Sequence, residues 1–148
     1  MMAIMPEFTP LNATDREIAE IVKTARTIAV VGISAKPERD SHRVAAYLQR
    51  AGYRIVPVNP GLDEVLGERC YPSLAAIPPA IQVDVADVFR RVEHLPAVVE
   101  DAIARGVPVV WFQSGLRHDG AAARARAAGL SVVQDRCLKV EHLRRAAR

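Results

Sequence analysis

The first regular pattern along the chain is a helical spacing of apolar residues. Ile18 and Val22 stand one helical turn apart, and further apolar residues follow on the same face. Thr14 and Glu17, just before this run, have the spacing of a capping box, in which each side chain accepts the other residue's backbone N–H. The pattern predicts a helix over residues 14–26.

Short β-branched runs then alternate with helical patterns. The first run, residues 28–33, is apolar throughout, which is typical of a parallel strand covered on both faces. A helix that ends at Gly52 and a second strand over 53–58 come next. A long connection follows, with a short strand near 69–71 and a helical turn near 73–76. The remaining patterns predict strands over 83–89, 108–113 and 130–134 and helices over 95–105, 119–128 and 138–147.

This alternation of strands and helices predicts βαβ units and a parallel sheet. We expect one α/β domain over residues 1–148, Rossmann-like and doubly wound, with about five parallel strands and helices on both faces. Residues 1–12 are expected to be partly flexible. Right-handed crossovers leave few arrangements of such strands. We take the strand order to be 3-2-1-4-5, with the flavodoxin-like order 2-1-3-4-5 as the alternative.

The fold predicts where a ligand would bind. Doubly wound sheets hold ligands beyond the carboxyl ends of the strands, at the point where the strand order reverses. In the order 3-2-1-4-5 that point lies between the first and fourth strands. The loops 32–41 and 113–115 are therefore the candidates for a site.

The loop after the first strand carries groups suited to phosphate. Gly32 lets backbone come close to a ligand, and Ser34, Lys36 and Arg39 supply a hydroxyl and positive charge. Ser41 is expected to be the N-cap of the next helix, whose free N–H groups would face the same space and form an anion site. His42 and Arg43 lie on the first turn of that helix, where a bound anion would offset their unfavourable interaction with the helix dipole.

This loop differs from the dinucleotide fingerprint. G-x-G-x-x-G would place glycines two and five positions after Gly32, where the chain has Ser34 and Pro37. NAD sites also use an acidic residue at the end of the second strand, and here the first acid after that strand is Asp63. Both differences count against a dehydrogenase.

Composition narrows the class of partner. The formal net charge is +3 with the basic residues spread along the chain, which suits a small phosphorylated ligand better than a nucleic acid. No signal peptide, membrane helix, metal motif or hydrolase motif is recognisable, so we expect a cytoplasmic protein without a membrane partner. Cys70 and Cys137 fit no zinc or CxxC pattern; free thiols are expected, with one disulfide as the alternative.

Many short motifs, read in order, resemble the small stand-alone CoA-binding domain proteins. The resemblance runs from about residue 14 to residue 143. The motifs are Val31-Gly32-Ile33-Ser34 with Lys36-Pro37, Ser41, Val44 with Tyr47-Leu48, Gly52-Tyr53, Pro57-Val58-Asn59-Pro60, Leu66-Gly67, Tyr71-Pro72-Ser73-Leu74, Asp87-Val88-Phe89-Arg90, Val110-Trp111-Phe112-Gln113 with Gly115, and Val133 with Asp135-Arg136-Cys137.

That family is similar to the N-terminal domain of the succinyl-CoA synthetase alpha subunit. The resemblance implies a five-stranded Rossmann-like fold with CoA across the carboxyl edge of the sheet. It also implies roles for individual residues: Gly32, Ser34, Lys36, Pro37 and Arg43 at the phosphates and ribose, with Ser41 nearby; Asn59 and Pro60 as a wall; Phe89 and Arg90 at the adenine or pantetheine; Gln113 and Gly115 along the pantetheine. The larger synthetases need a phosphohistidine domain and an ATP-grasp partner, and we expect neither within these 148 residues.

Three functions follow as hypotheses. The first is a module that binds CoA or acyl-CoA without catalytic activity of its own, a possible homo-oligomer with no catalytic residue and no metal. The second is a CoA-binding subunit of an NDP-forming acyl-CoA synthetase, with the catalytic domains on a partner chain. The third is an NAD(H)-binding redox sensor of similar fold.

Two further positions keep alternatives open. Cys137 is expected to be a buried packing residue, with a mixed disulfide to CoA as the alternative, because an arginine and a helix N-terminus adjoin it. Asp84 and Asp87 lie in the third strand, and Asp87 either reaches the edge of the site or bonds a neighbouring loop.

Overall fold

The computed structural model describes residues 11–146, and its centre is a parallel sheet of five strands. The main strands are β1 Thr27–Val31, β2 Arg54–Val58, β5 Val85–Val88, β6 Val109–Phe112 and β7 Ser131–Val133, and a separate hairpin contains β3 Glu64–Val65 and β4 Glu68–Arg69. Most of the predicted flexible segment 1–12 lies outside the described residues. Asn12, which lies inside them, is held in place because its Nδ2 donates to the Gln134 carbonyl at 3.1 Å.

In the described part of the chain, five α-helices cover the two faces of the sheet. They are α1 Asp15–Thr24, α2 Asp40–Arg50, α3 Leu95–Arg105, α4 Asp119–Ala127 and α5 Leu138–Ala146, with short 3-10 helices at Leu74–Ala76 and Val92–His94. Buried residues of α1, α2 and α5 pack on one face, and those of α3 and α4 on the other. The predicted α/β class with helices on both faces is confirmed.

The strand β1 shows why both faces need cover. Ile28 and Val30 belong to the core under α1, α2 and α5, whereas Ala29 and Val31 belong to the core under α3 and α4. All four side chains are buried. A strand with apolar residues at every position is stable only in the middle of such a double layer, as the sequence predicted.

The predicted strand order 3-2-1-4-5 is wrong, and the alternative order is the one observed. The sheet runs β2-β1-β5-β6-β7, which, counting its five strands along the chain, is the flavodoxin-like order 2-1-3-4-5 and not 3-2-1-4-5. In the register of the sheet, Val30 lies between Pro57 of β2 and Asp87 of β5. The order therefore reverses between the first and third strands. The loop after β5, rather than the loop after β6, is the direct neighbour of the loop after β1.

The hairpin of β3 and β4 was only half predicted. Its turn consists of Leu66 at φ 56° and Gly67 at φ 76°, so both central residues are left-handed, as a tight two-residue hairpin turn requires. Leucine rarely adopts that conformation, so the sequence around Leu66 did not indicate a hairpin turn and the strand before it, β3, was not predicted. The predicted short strand corresponds to β4 and to the bridge that joins Tyr71 to Val58, and the predicted helical turn to Leu74–Ala76.

The predicted capping box at the start of α1 is present. Thr14 Oγ1 accepts the Glu17 N–H at 3.1 Å, and Glu17 Oε1 accepts the Thr14 N–H at 2.9 Å. The bond from the Thr14 N–H is the main reason that the pKa of Glu17 lies below its ordinary value. Both bonds satisfy N–H groups that a helix start otherwise leaves unpaired.

We expect Thr14→Ala to lower the free energy of unfolding by about 1 kcal/mol, because it removes one half of the box. Urea denaturation measures the loss. Thr24→Ala is the matched control: this hydroxyl, at the other end of α1, donates only to the Glu20 carbonyl, and its removal should change stability by less than about 0.5 kcal/mol. Equal losses in the two variants would contradict a specific role for the cap.

Candidate functional site at the carboxyl edge of the sheet

A pocket of about 680 Å³ opens beyond the carboxyl ends of β1, β2 and β5. We call it the loop pocket, because the loop between β1 and α2 forms most of its wall. Six of the predicted site residues line it: Gly32, Ser34, Lys36, Ser41, Asn59 and Phe89. The pocket lies where the observed strand order reverses, which is where this kind of sheet holds its ligands.

A second pocket of about 470 Å³ adjoins the first, and we call it the α5 pocket. Asp40 and Phe89 line both. The α5 pocket contains the predicted residues Arg43, Arg90 and Gln113. Pro37, Pro60 and Gly115 line neither pocket. We call these two adjoining pockets together the cleft; their lining residues extend along the edge of the sheet from β2 to β6.

Hydrogen bonds fix the loop after β1. The Ser34 N–H donates to Ser41 Oγ at 2.9 Å, and the Lys36 N–H donates to Ser34 Oγ at 3.0 Å. The prediction that Ser41 caps α2 is wrong: Arg39 is the N-cap, and Ser41 is a buried residue of the first turn whose hydroxyl holds the loop. Because no side chain in residues 11–146 caps α2, its first N–H groups are left to face an anion.

Acidic residues reduce the positive charge of this loop. Glu38 and Asp40 line the loop pocket together with Lys36 and Arg39. Arg43 pairs with the Asp40 carboxylate and donates to the Glu38 carbonyl, so it is not a free cation. Neither acid was among the predicted site residues, so the loop is less positive than its cations alone indicated.

Asn59 joins the loops after β1 and β2. Its Nδ2 donates to the Ile33 carbonyl at 2.7 Å, and its Oδ1 accepts the Gly61 N–H at 2.8 Å. Both ends of the amide are therefore used within the protein. Asn59 forms a wall of the loop pocket and holds that wall in place.

The start of α5 is fixed to the carboxyl end of β6. Gln113 Oε1 accepts the Leu138 N–H at 3.1 Å, and Trp111 Nε1 donates to the Arg136 carbonyl at 2.8 Å. The Gly115 N–H donates to Asp135 Oδ1 at 2.6 Å. These bonds position the α5 pocket, and Trp111, buried as predicted, is part of the core.

Sequence reasoning missed several residues of the α5 pocket. Leu116, Lys139 and Val140 line it with Val44 and Cys137. Lys139 and Val140 come from the last helix, whose return to this edge depends on tertiary structure. No spacing along the chain indicates it.

The two aspartates near β5 have separate environments. Asp84 Oδ2 accepts the backbone N–H groups of Arg26 and Thr27, each at 2.9 Å, so it fixes the start of β1. Asp87 is fully buried, and neither of its oxygens has a hydrogen-bond partner among the described residues. Burial raises the pKa of this carboxyl well above its ordinary value. Neither alternative given for Asp87 describes it: the side chain lies inside the core.

A pocket of about 580 Å³ at the opposite edge of the sheet is a weaker candidate. Lys23, Arg26 and Arg145 line it, at the place where the C-terminal ends of α1, α2 and α5 meet. Helix C-termini carry partial negative charge, which basic side chains compensate. The helix C-termini therefore account for the basic residues of this pocket, and no ligand is needed to explain them.

Both cysteines are free thiols, which excludes the disulfide alternative. Cys70 is buried and Cys137 partly exposed. Nowhere in residues 11–146 do three His, Cys, Asp or Glu side chains come together as a metal site requires. Of the helices in that range, none has both the length and the apolar character needed to span a membrane.

Comparison with known proteins identifies a family and several relatives. Residues 26–143 match a family model described as a CoA binding domain. The protein YneT of Bacillus subtilis (strain 168) is 44% identical over 131 residues, which cover 88% of this chain and 96% of YneT. The solved structure of a hypothetical protein from Pyrococcus horikoshii OT3 superposes on this chain with a TM-score of 0.85. Its sequence is 42% identical to this one, and the match covers 97% of this chain and 98% of that chain.

Similarity extends to larger enzymes over part of their length. The ADP-forming acetate–CoA ligase II of Archaeoglobus fulgidus is 30% identical over 98 residues, which cover 64% of this chain but only 14% of the ligase. The predicted likeness to the CoA-binding part of such synthetases is confirmed, within a small part of the enzyme. Since the family model matches well over half of the residues, the chain belongs to the CoA binding domain family.

Proposed function

We propose that this protein binds coenzyme A or an acyl-CoA in the cleft formed by the loop pocket and the α5 pocket, without catalytic activity of its own. The observation that carries the proposal is the uncapped start of α2, which faces a pocket at the reversal of strand order in a member of this family. A helix start with free N–H groups suits a diphosphate.

The parts of the ligand are assigned by chemistry. The diphosphate lies at the start of α2, beside Ser34 and between Lys36 and Arg39, the cations of the loop pocket. Gly32, Pro37 and Arg43 adjoin it, and Asn59 with Pro60 bounds it on the side of β2. Phe89 lies where the two pockets meet. The pantetheine then follows the α5 pocket, past Arg90 and Gln113 toward Gly115.

An NAD(H) site fits this edge less well. The turn after β1 lacks the glycines of the dinucleotide fingerprint, and β2 ends without an acid that would bind the ribose. Asn59, which follows β2, has its carboxamide committed to Ile33 and Gly61. We therefore expect NADH to bind more weakly than CoA.

One observation favours a second candidate function. The similarity to an ADP-forming ligase supports a second possible role, that of a CoA-binding subunit of a synthetase. The catalytic domains of that synthetase would then belong to a partner chain. Purification of the native protein distinguishes the two functions. A co-purifying ATP-grasp chain supports the subunit, and a homo-oligomer that binds CoA supports the module.

We expect CoA to stabilise the purified protein. At about a hundred times its Kd, CoA should add about 2.7 kcal/mol to the free energy of unfolding, or about 5–10 °C in Tm. Dephospho-CoA should stabilise less and NADH least. Lys36→Ala should reduce the effect of CoA, whereas Lys23→Ala, at the opposite edge, should not. An unchanged Tm with CoA at millimolar concentration would refute the proposed function.

A further inference from the structure

Cys137 lies at a point where the proposed ligand would present its thiol. It directly precedes α5, and its carbonyl accepts the Glu141 N–H at 3.0 Å, so it is the N-cap residue of that helix. The side chain is partly exposed, and the residue lines the α5 pocket together with Phe89 and Gln113. Cys137 therefore borders the cleft, beyond the loop that we assign to the phosphates, and packs partly buried against the core under α1, α2 and α5.

A second side chain of the α5 pocket indicates a ligand there. Gln113 is only 6% exposed, and its Oε1 is identified as the oxygen because it accepts the Leu138 N–H. Its Nε2 makes no hydrogen bond to any residue in the range 11–146. This nitrogen is not among the buried side-chain atoms that lack a partner, so it is open to the pocket that Gln113 lines. The two N–H donors of Gln113 suit a carbonyl of a molecule that occupies the pocket.

The charge and shape of the cleft fit a long anionic molecule that ends in sulfur. The α5 pocket adjoins the loop pocket, with which it shares Asp40 and Phe89. Arg43, Arg90 and Lys139 line it, and Asp40 is the one acidic side chain in its lining. This surplus of positive charge favours the approach of an anionic ligand.

We propose that Cys137 forms a mixed disulfide with the thiol end of a CoA-type ligand, which makes this protein a carrier or sensor of oxidised CoA. The inference rests on the proposed function, because it needs CoA to occupy the cleft. The reaction is an exchange: the Cys137 thiolate attacks one sulfur of the symmetrical CoA disulfide. The Sγ–S bond forms, the S–S bond of the CoA disulfide breaks, and one CoA thiolate leaves and takes up the proton that Cys137 lost. No net oxidant is consumed.

The chain supplies its own control in Cys70. This thiol is 6% exposed, and its Sγ lies 3.6 Å from the Asn59 carbonyl oxygen that accepts its hydrogen. Burial raises the pKa of the Cys70 thiol, so less thiolate is present to react. We expect Cys70 to stay unmodified while Cys137 reacts.

The test is intact-protein mass spectrometry after incubation with CoA disulfide. We expect one CoA adduct per chain, located by peptide mapping on Cys137 of the unaltered protein and released by a reducing agent. The adduct should persist in Cys70→Ser and disappear in Cys137→Ser. Because the cleft holds the nucleotide, CoA disulfide should react at least about tenfold faster than glutathione disulfide at equal concentration.

Each outcome counts for or against the proposal. An adduct on Cys70, no adduct, or equal rates with the two disulfides would overturn it. Stabilisation of the unaltered protein and of Cys70→Ser by reduced CoA is measured separately. If reduced CoA stabilises them but no adduct forms, the mixed disulfide is refuted and the binding function stands. If reduced CoA does not stabilise them, the proposed binding function is refuted, and with it the mixed disulfide that depends on it.

Discussion

Gly32→Ala is expected to lower the free energy of unfolding by about 2–5 kcal/mol. Gly32 follows β1 with φ at +89°, a conformation that costs an L-residue about 1–2 kcal/mol. An added Cβ would also overlap the carbonyl oxygen of Phe89 and lie 2.9 Å from Arg90 Cδ. Because backbone forms the main obstacle, relief would require a shift of the loop after β5, and such overpacking typically costs about 1–3 kcal/mol.

The matched control for this variant is Gly129→Ala. Gly129 has nearly the same φ, +90°, but nothing lies within 4 Å of a Cβ added there. It should therefore show only the backbone term, about 1–2 kcal/mol. Urea denaturation of both variants separates the two contributions. A loss in Gly32→Ala no greater than that in Gly129→Ala would show that the contact with Phe89 is not tight.

The same glycine shows how a correct sequence signal can have a different physical cause. The motif around Gly32 predicts a glycine at the ligand edge, on the argument that a ligand's phosphate needs close approach to backbone. In the structure the close neighbour is protein: the loop after β5 touches the loop after β1. The glycine is needed for the packing of two loops at the reversal of strand order, whether or not a ligand is bound.

Local patterns predicted the elements well and their arrangement less well. The helix 95–105 has the predicted bounds, with its C-cap at the left-handed Gly106. The order of the strands was wrong because both candidate orders share the same alternation and the same right-handed crossovers. What decides between them is the pairing of β5 with β1, for example Val30 beside Asp87, and that long-range contact leaves no spacing in the sequence.

The candidate site was predicted unevenly for the same reason. Ser34 and Lys36, which line the loop pocket, were predicted because the loop after the first strand of such a sheet lies at the ligand edge. Ser41 was placed in the site for the wrong reason, since the position of a helix start is uncertain by a residue or two. Lys139 and Cys137 belong to the α5 pocket only because α5 packs back against β6, which tertiary structure alone determines.

The buried carboxyl of Asp87 leads to the second large effect, a pH dependence of stability. Asp87 lies between Val30 and Trp111 in the sheet, and desolvation is the cause of its raised pKa. In the unfolded chain the carboxyl has its ordinary pKa. Between the unfolded and the raised folded value, the folded state holds a proton that the unfolded state has lost. The stability from this group is thus complete below the unfolded pKa and falls as pH rises toward the folded pKa.

Asp87→Asn removes this titration and keeps the shape of the side chain. We expect the free energy of unfolding of the unaltered protein to fall, relative to that of the variant, by about 1.4 kcal/mol for each pH unit within the window. Urea denaturation at about pH 5 and about pH 7 measures the difference. The free energy of unfolding of the variant, relative to that of the unaltered protein, should be larger at the higher pH. Parallel pH profiles for the two proteins would show that Asp87 is not a neutral buried acid.

Asp84→Asn provides the contrast, because this carboxylate, three residues earlier, accepts two backbone N–H groups at the start of β1. The same substitution there weakens bonds that the native state makes, so it should destabilise the protein by about 1–3 kcal/mol at neutral pH. Asp87 makes no such bond, and at neutral pH its replacement should stabilise. Opposite signs for one chemical change at two nearby aspartates would show that Asp87 costs the fold stability, as groups kept for function often do.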